Sequence, residues 1–118
     1  MLAFDPNSLP TPCYVVDEAL LVKNLELLAS VIRRTGCKIL LAQKGFSMFS
    51  VYPLIGKYLN GTTASSLFES RLGREEMGGE VHIFNPAFDP RDFPEILRLC
   101  DHIVFNSMNQ WRKYRGAV

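Results

Sequence analysis

Apolar residues in the first third of the chain follow two different spacings. From Glu18 to about Thr35 they recur every three or four residues, which predicts an amphipathic helix with Asp17 as its N-cap. The repeating positions are Leu21, Leu25, Leu28 and Ile32. Gly36 is predicted to end this helix, and residues 37–43 then form an aliphatic run of strand length. A run of this kind is typical of a strand that is buried on both faces.

The remaining chain repeats this alternation with short loops. Further strands are predicted at residues 12–16, 62–65, 81–84 and 102–105. Further helices are predicted after Ser50, after a capping box that runs from Ser66 to Glu69, after Asp89-Pro90, and after Asn106-Ser107.

Alternating strands and helices indicate an α/β fold with parallel strands and right-handed crossovers. Two architectures fit this order: a doubly wound open sheet, or the first half of a (βα)8 barrel. Because a barrel normally takes about 250 residues, the barrel interpretation makes residues 1–118 an incomplete N-terminal part.

Composition excludes several classes of function. The formal net charge is +1 and the hydrophobic fraction is 47%, so no charge excess favours nucleic acid or an anionic membrane as a partner. The chain has no apolar run of membrane-spanning length and no signal-peptide pattern at its start, and we expect a cytoplasmic protein. Three widely spaced cysteines, and the two histidines His82 and His102, show no metal-ligand spacing, so no metal site is predicted.

Lys44 is the candidate catalytic residue. It shares one side of the 37–43 run with Leu40 and Ala42, and it follows the strand's carboxyl end, where parallel α/β folds bind ligands. A lysine held there and partly desolvated can attack a carbonyl and form a Schiff base. From this stretch alone, a solvated loop lysine is the simpler interpretation. The glycine spacing of dinucleotide-binding and phosphate-binding loops is missing after the predicted strands.

Small polar residues follow the neighbouring strands. Ser65 and Ser66 end the strand at 62–65, and Asn85 ends the strand at 81–84. Each of these residue types is common in loops, and the capping box accounts for Glu69.

Several stretches together resemble the barrel-type pyridoxal-phosphate enzymes, the fold of alanine racemase, and within them the carboxynorspermidine (carboxyspermidine) decarboxylases. The resemblance covers about Leu9 to Trp111. It rests on Thr-Pro-Cys-Tyr-Val at 11–15, Cys-Lys-Ile-Leu-Leu-Ala-Gln-Lys-Gly-Phe at 37–46, Gly-Thr-Thr-Ala-Ser-Ser at 61–66, Glu69 with Arg-Leu-Gly at 71–73, and Asp-His-Ile-Val-Phe-Asn-Ser at 101–107.

The resemblance implies that Lys44 is the lysine that binds pyridoxal 5'-phosphate covalently. It also implies that Thr63, Ser65, Ser66 and Asn85 lie against this cofactor, and it leaves Glu69 as a weak candidate for binding the substrate. The implied reaction is decarboxylation of carboxynorspermidine or carboxyspermidine to norspermidine or spermidine. Ornithine-type enzymes have an aspartate where this sequence has Thr63, which argues against that branch.

The resemblance also implies what lies later in the chain in this family: the phosphate-binding loop, the partner of the pyridine nitrogen and a second β-rich domain. It further implies that two subunits share the active site. We therefore expect residues 1–118 to form a partial barrel domain that is inactive alone. Either it is a fragment of the full enzyme, whose full-length chain forms a homodimer, or other chains supply the remainder. The alternatives are another barrel-type decarboxylase or racemase, a pyridoxal-phosphate carrier protein, and a non-catalytic α/β module.

Overall fold

The computed structural model describes residues 4–118. It contains four strands, β1 (Leu40–Ala42), β2 (Gly61–Ala64), β3 (Glu80–Asn85) and β4 (His102–Phe105). The α-helices are α1 (Glu18–Thr35), α2 (Tyr52–Ile55), α3 (Leu67–Leu72), α4 (Phe93–Leu99) and α5 (Met108–Tyr114). A 3-10 turn at Phe49–Val51 precedes α2, and a π-helical turn at Gly73–Met77 extends α3.

Helix α1 has the boundaries that the sequence predicts. The Asp17 side chain accepts a hydrogen bond from the Leu20 backbone N–H, which satisfies one of the first-turn donors. Gly36 ends the helix with φ of 71°, a left-handed conformation that glycine adopts without steric cost. Leu25 and Ala29 are buried, whereas Leu27 is 65% exposed. The predicted apolar stripe is therefore wider than the side of the helix that packs on the described chain.

Two predicted helices differ in extent from those observed. The helix predicted to start at Asp89 begins at Phe93, because the Asp89 side chain accepts from the Arg91 N–H and its carbonyl accepts from the Phe93 N–H, which makes a separate turn. The helix predicted after Ser50 is only four residues long at Tyr52–Ile55, and the chain continues to Asn60 in turns.

The predicted strand at residues 12–16 is wrong. This segment has no regular secondary structure, and β1 pairs only with β2 among the described residues. Tyr14 in this segment is 97% exposed. Strand propensity alone does not form a strand without a neighbour that supplies hydrogen bonds.

The four strands form one sheet in the order β1-β2-β3-β4, and all three neighbouring pairs are parallel. Sequential order with a helical crossover between neighbours is the arrangement found in a (βα) barrel, whereas a doubly wound sheet reverses its order at a switch point. This confirms the predicted alternation of parallel strands and helices.

Helices cover one face of the sheet, and they do so in two apolar clusters. The first cluster lies on the covered face at β2, β3 and β4. It consists of Ala64, Leu67, Ile83, Phe88, Phe93, Ile96 and Tyr114. The second lies near β1 and consists of Leu25, Val51, Tyr52, Ile55 and Leu59.

Gly73 allows close packing between α3 and the covered face of the sheet. It is buried, and a Cβ atom placed on it would collide with Thr62 Oγ1 and lie 3.0 Å from Gln43 Nε2. A side chain at position 73 would therefore push the helix off the sheet beside the end of β1.

No helix within residues 4–118 has the length and hydropathy needed to cross a membrane.

Candidate functional site

The second face of the sheet is open and carries the predicted chemistry. Strand register places Ala42, Thr63, His82 and His102 in one row across the four strands. Side chains alternate between the faces, and Val81 and Ile83 are buried against the helices. Phe84 and Val104 on the open face are 42% and 50% exposed. We therefore place the candidate site at the carboxyl edge of this face.

Lys44 lies at that edge, as the sequence predicts. β1 ends at Ala42, and the Gln43 N–H donates to the Thr63 carbonyl oxygen over 3.2 Å, which extends the pairing with β2 by one residue. Lys44 follows in a turn in which the Gly45 and Phe46 N–H groups both donate to the Ala42 carbonyl. Lys44 is exposed, and its amine makes no hydrogen bond or ion pair with any residue in the described range 4–118.

An open groove adjoins the turn that carries Lys44. It has a volume of about 730 Å³ and is lined by residues 14–16 on one side and residues 45–48 on the other. Residues 14–16, which belong to the segment wrongly predicted as a strand, therefore line the groove next to the turn of Lys44.

Ser65, Ser66 and Glu69 form a local network where β2 passes into α3. Ser66 Oγ accepts from the Glu69 N–H at 3.2 Å, as the predicted N-cap should. Glu69 Oε2 accepts from the Ser65 N–H at 2.6 Å, one residue before the amide that a standard capping box uses. One oxygen of the Glu69 carboxylate, Oε2, is therefore held by the backbone at the end of β2.

Asn85 joins the ends of β2 and β3. Its Nδ2 donates to the Ser65 carbonyl oxygen at 3.0 Å, and its Oδ1 accepts from the Ala87 N–H at 2.9 Å. Gln110, at the start of α5, donates from Nε2 to the carbonyl oxygens of Asn85 and Pro86, both at 3.1 Å. Gln110 Oε1 accepts from the Asn106 N–H just after β4, so three strand ends are tied together. No sequence signal identified Gln110.

The structure therefore brings four predicted residues into one hydrogen-bonded network, namely Ser65, Ser66, Glu69 and Asn85. Lys44 and Thr63 lie beside this network through strand register, without a hydrogen bond to it. Thr63 is half-buried on the open face, between Ala42 and His82.

Gln43 holds the turn before Lys44 in place, a role that the sequence did not predict. It is 1% exposed, on the face opposite to Lys44. The Tyr52 hydroxyl lies 3.4 Å from Gln43 Oε1 and 3.2 Å from the Phe46 carbonyl oxygen, so it braces both sides of the turn. Burial, with the nearby Glu69 charge, raises the pKa of Tyr52 and keeps this hydroxyl protonated as a donor.

A charged cluster lies on the open face toward the amino ends of the strands. The Lys38 amine pairs with Glu80 Oε1, while His82 Nε2 lies 3.0 Å from Glu80 Oε2. His102 Nε2 lies 4.0 Å from that same oxygen. The Lys38 hydrogen bond, followed by the one to His82, lowers the pKa of Glu80. The sequence predicted no metal site at the two histidines and did not anticipate that they lie together with a carboxylate.

The carboxyl edge suits the aldehyde end of pyridoxal phosphate. An exposed lysine amine without a carboxylate partner in the described chain is available for covalent bonding to a carbonyl. The neighbouring strand ends offer hydroxyl and amide groups for polar contacts with a bound ring. The described residues therefore fit the part of the cofactor that reacts with lysine.

Comparisons with known proteins point to one group of enzymes. No family model matches the chain. The chain is 44% identical over 112 residues to the carboxyaminopropylagmatine decarboxylase of Synechocystis sp. and 41% identical over 104 residues to the carboxynorspermidine/carboxyspermidine decarboxylase of Herminiimonas arsenicoxydans. It is also similar in structure to the carboxynorspermidine decarboxylase of Campylobacter jejuni, crystallised with norspermidine, with a TM-score of 0.89 and 44% identity over 92% of this chain.

These matches take in most of this chain but a minor part of each relative. They cover 95% and 88% of this chain, and 29% and 28% of the two sequence relatives. The chain likewise spans 29% of the crystallised Campylobacter enzyme, where it matches the N-terminal part of the barrel. The relatives are decarboxylases of carboxylated polyamines, and this chain is similar to their N-terminal portion.

Proposed function

We propose that residues 1–118 are the N-terminal part of a pyridoxal-phosphate-dependent decarboxylase that converts carboxynorspermidine or carboxyspermidine to norspermidine or spermidine. The observation that carries the proposal is the position of Lys44: an exposed amine directly after β1, in a chain 44% identical to the carboxynorspermidine decarboxylase that it matches in structure. The solved relative was crystallised with a polyamine, which supports a polyamine-like substrate.

The proposed role of Lys44 is to hold the cofactor covalently through its side-chain amine. Pyridoxal phosphate, when bound, supplies the electron sink that stabilises the negative charge left on carbon after carbon dioxide departs. The Lys44 amine, which has no hydrogen-bond or ion-pair partner within residues 4–118, would be free to form the bond to the cofactor and to release it.

Thr63, Ser65, Ser66 and Asn85 are proposed to position the cofactor. The hydrogen bonds from Asn85 to the Ser65 carbonyl and from the Ser65 amide to Glu69 fix the backbone at the ends of β2 and β3. These hydrogen bonds would hold the groups around Lys44 in fixed positions, and rigid placement of reacting groups lowers the entropic part of a barrier.

Glu69 is proposed as a secondary contact for the cationic polyamine chain. One of its carboxylate oxygens, Oε2, is held by the Ser65 N–H. The other oxygen has no hydrogen bond within residues 4–118 and is the atom that would accept from a substrate ammonium group. A carboxylate held in this way loses little conformational freedom when it binds.

The rest of the active site is proposed to come from chain beyond these residues. We propose that a longer chain completes the barrel, adds a β-rich domain and forms a cytoplasmic homodimer. The open face of the sheet, with Phe84 and Val104 exposed, supports this because it is a surface that further strands would cover.

The proposal is tested by cofactor labelling and by activity of the longer chain. After incubation with pyridoxal phosphate and reduction with borohydride, mass spectrometry should find the label on Lys44. The Lys44→Ala variant should lose the label and the Lys57→Ala variant, which changes another exposed lysine, should keep it. The longer chain should release norspermidine or spermidine from the carboxylated precursor, and its Lys44→Ala variant should not. Labelling of Lys57 and Lys44 alike, or full activity without Lys44, would refute the proposal.

A further inference from the structure

Three metal-ligating side chains converge on the open face of the sheet. Glu80 and His82 are two residues apart on β3, so they share a face, and His102 is the register partner of His82 on β4. One ligand atom from each residue can be chosen so that all three lie within 4.8 Å of one another. The two imidazole rings are 4.2 Å apart between centroids.

The two oxygens of the Glu80 carboxylate face different partners. Oε1 pairs with the Lys38 amine, while Oε2 faces both imidazole Nε2 atoms, at 3.0 Å from His82 and 4.0 Å from His102. An ion bound between Oε2 and the two nitrogens would thus leave the Lys38 pair in place. A hydrogen bond to the outer oxygen of a ligating carboxylate is the usual way in which a metal ligand is oriented.

We propose that Glu80, His82 and His102 form a binding site for a divalent transition-metal ion of the zinc type. Two imidazoles and one carboxylate are a common ligand set for such ions, and they leave a fourth position for water or another ligand. Bond lengths of about 2.0–2.2 Å place tetrahedral donor atoms roughly 3.3 Å apart. The Glu80–His82 separation of 3.0 Å is already close to this value, and the His102 separation of 4.0 Å differs from it by about 0.7 Å.

The site is separate from the proposed cofactor lysine. His82 and His102 lie in the same row as Ala42, and Lys44 is two positions beyond Ala42 toward the carboxyl edge. Two residues along a strand and two strands across the sheet correspond to about 12 Å between backbone positions. Metal binding can therefore be measured without regard to pyridoxal phosphate, and its failure would leave the proposed decarboxylase function untouched.

The alternative is a purely ionic cluster in which Lys38 and His82 neutralise Glu80 and no ion binds. The two interpretations differ in which carboxylate matters for binding. If Glu80 ligates the ion through Oε2, Glu80→Gln should weaken Zn²⁺ binding and Glu75→Gln should not. If the cluster merely attracts cations through surplus negative charge, Glu75→Gln, which removes an exposed carboxylate outside the cluster, should weaken binding as much as Glu80→Gln.

The experiment is a calorimetric titration of the purified chain with Zn²⁺, combined with visible absorption of the Co²⁺ form. It uses the Cys13→Ser, Cys37→Ser background, because both exposed thiols could also bind zinc. We expect one ion per chain, a Co²⁺ spectrum without thiolate charge-transfer bands, and affinity about tenfold lower or worse in Glu80→Gln and in His102→Ala. Circular dichroism should show that both variants keep the secondary structure of the parent.

Two results would overturn the proposal. One is the absence of stoichiometric binding in the Cys13→Ser, Cys37→Ser background while the chain is folded. The other is binding that Glu75→Gln weakens as much as His102→Ala does.

Discussion

The Gln43 side-chain nitrogen donates a hydrogen bond to the backbone carbonyl oxygen of Glu69 over 2.8 Å. Gln43 is the residue before Lys44, and Glu69 carries the carboxylate that holds the end of β2. One buried amide thus joins the turn of the candidate lysine to the neighbouring strand end.

Gln43→Leu should destabilise the chain by about 1–3 kcal/mol, because it removes two buried hydrogen bonds that contribute about 0.5–1.5 kcal/mol each. The Glu69 carbonyl then keeps only the Gly73 N–H, and the Tyr52 hydroxyl keeps only the Phe46 carbonyl. Urea unfolding of the variant measures this loss. Asn24→Leu, on an exposed position of α1, serves as the matched control and should change the free energy of unfolding little. Equal stability of both variants would contradict the role given to Gln43.

Lys44→Ala should leave the free energy of unfolding within about 0.5 kcal/mol of the parent, since an exposed side chain without a partner contributes little. Lys38→Ala should cost more, because Lys38 pairs with Glu80. The pair of urea-unfolding curves checks this. A marked loss of stability on removing Lys44 would mean that its amine has a structural partner.

Gly73→Ala should destabilise by about 1–3 kcal/mol or more, because the added methyl group collides with Thr62 and approaches the Gln43 amide. Gly116→Ala is the control, since a Cβ atom there meets nothing within 4 Å. Thermal unfolding of both variants provides the measurement. Equal effects of the two substitutions would contradict close packing between Gly73 and the sheet.

The free energy of unfolding should depend on pH through the ionisation of Asp89. Hydrogen bonds from the Arg91 side chain, and then from the Arg91 N–H, lower the pKa of Asp89 from 3.8 to about 2. The folded chain therefore binds this proton less tightly than the unfolded chain. The contribution is present above pH 3.8 and is lost as the pH falls toward about 2.

Urea-unfolding midpoints of the parent and of Asp89→Asn test this expectation. The difference between them should be constant at pH 5 and above and should shrink below pH 3.8. Arg91→Gln, which removes the other partner of the ion pair, should show the same trend. A difference that does not change across this range would show that Asp89 and Arg91 are unpaired in solution.

Local signals were sufficient for much of the fold. The spacing of Leu21, Leu25 and Ile32 predicted α1, and its ends followed from Asp17 and Gly36. The parallel strands followed from aliphatic runs separated by helical segments. The segment at 12–16 has the composition of a strand but lacks a neighbour, and the turn at Asp89 satisfies its own amides before α4 begins. In both cases the outcome depends on partners that a local pattern does not specify.

The site could be predicted only where one residue carries the signal. The strand-end position of Lys44 followed from the aliphatic run before it, whereas its proposed role came from the family resemblance. Ser66 with Glu69 was predicted because a capping box has a fixed spacing. The contact of His82 with His102 depends on the register between two strands that are twenty residues apart. The hydrogen bonds of Gln43 and Gln110 likewise join residues far apart in sequence. Register and long-range side-chain pairing are tertiary properties, so single-residue patterns did not reveal them.

The alternation along β3 makes this strand unusually sensitive to a change in length. Its odd-numbered side chains Val81 and Ile83 enter the covered core, and Glu80, His82 and Phe84 lie on the open face. Inserting or deleting one residue near Glu80 would exchange the two sets, placing an imidazole in the apolar interior and an aliphatic group where the charged cluster stands. Natural variation in length is therefore expected in the loops on either side of residues 80–85 and not within them.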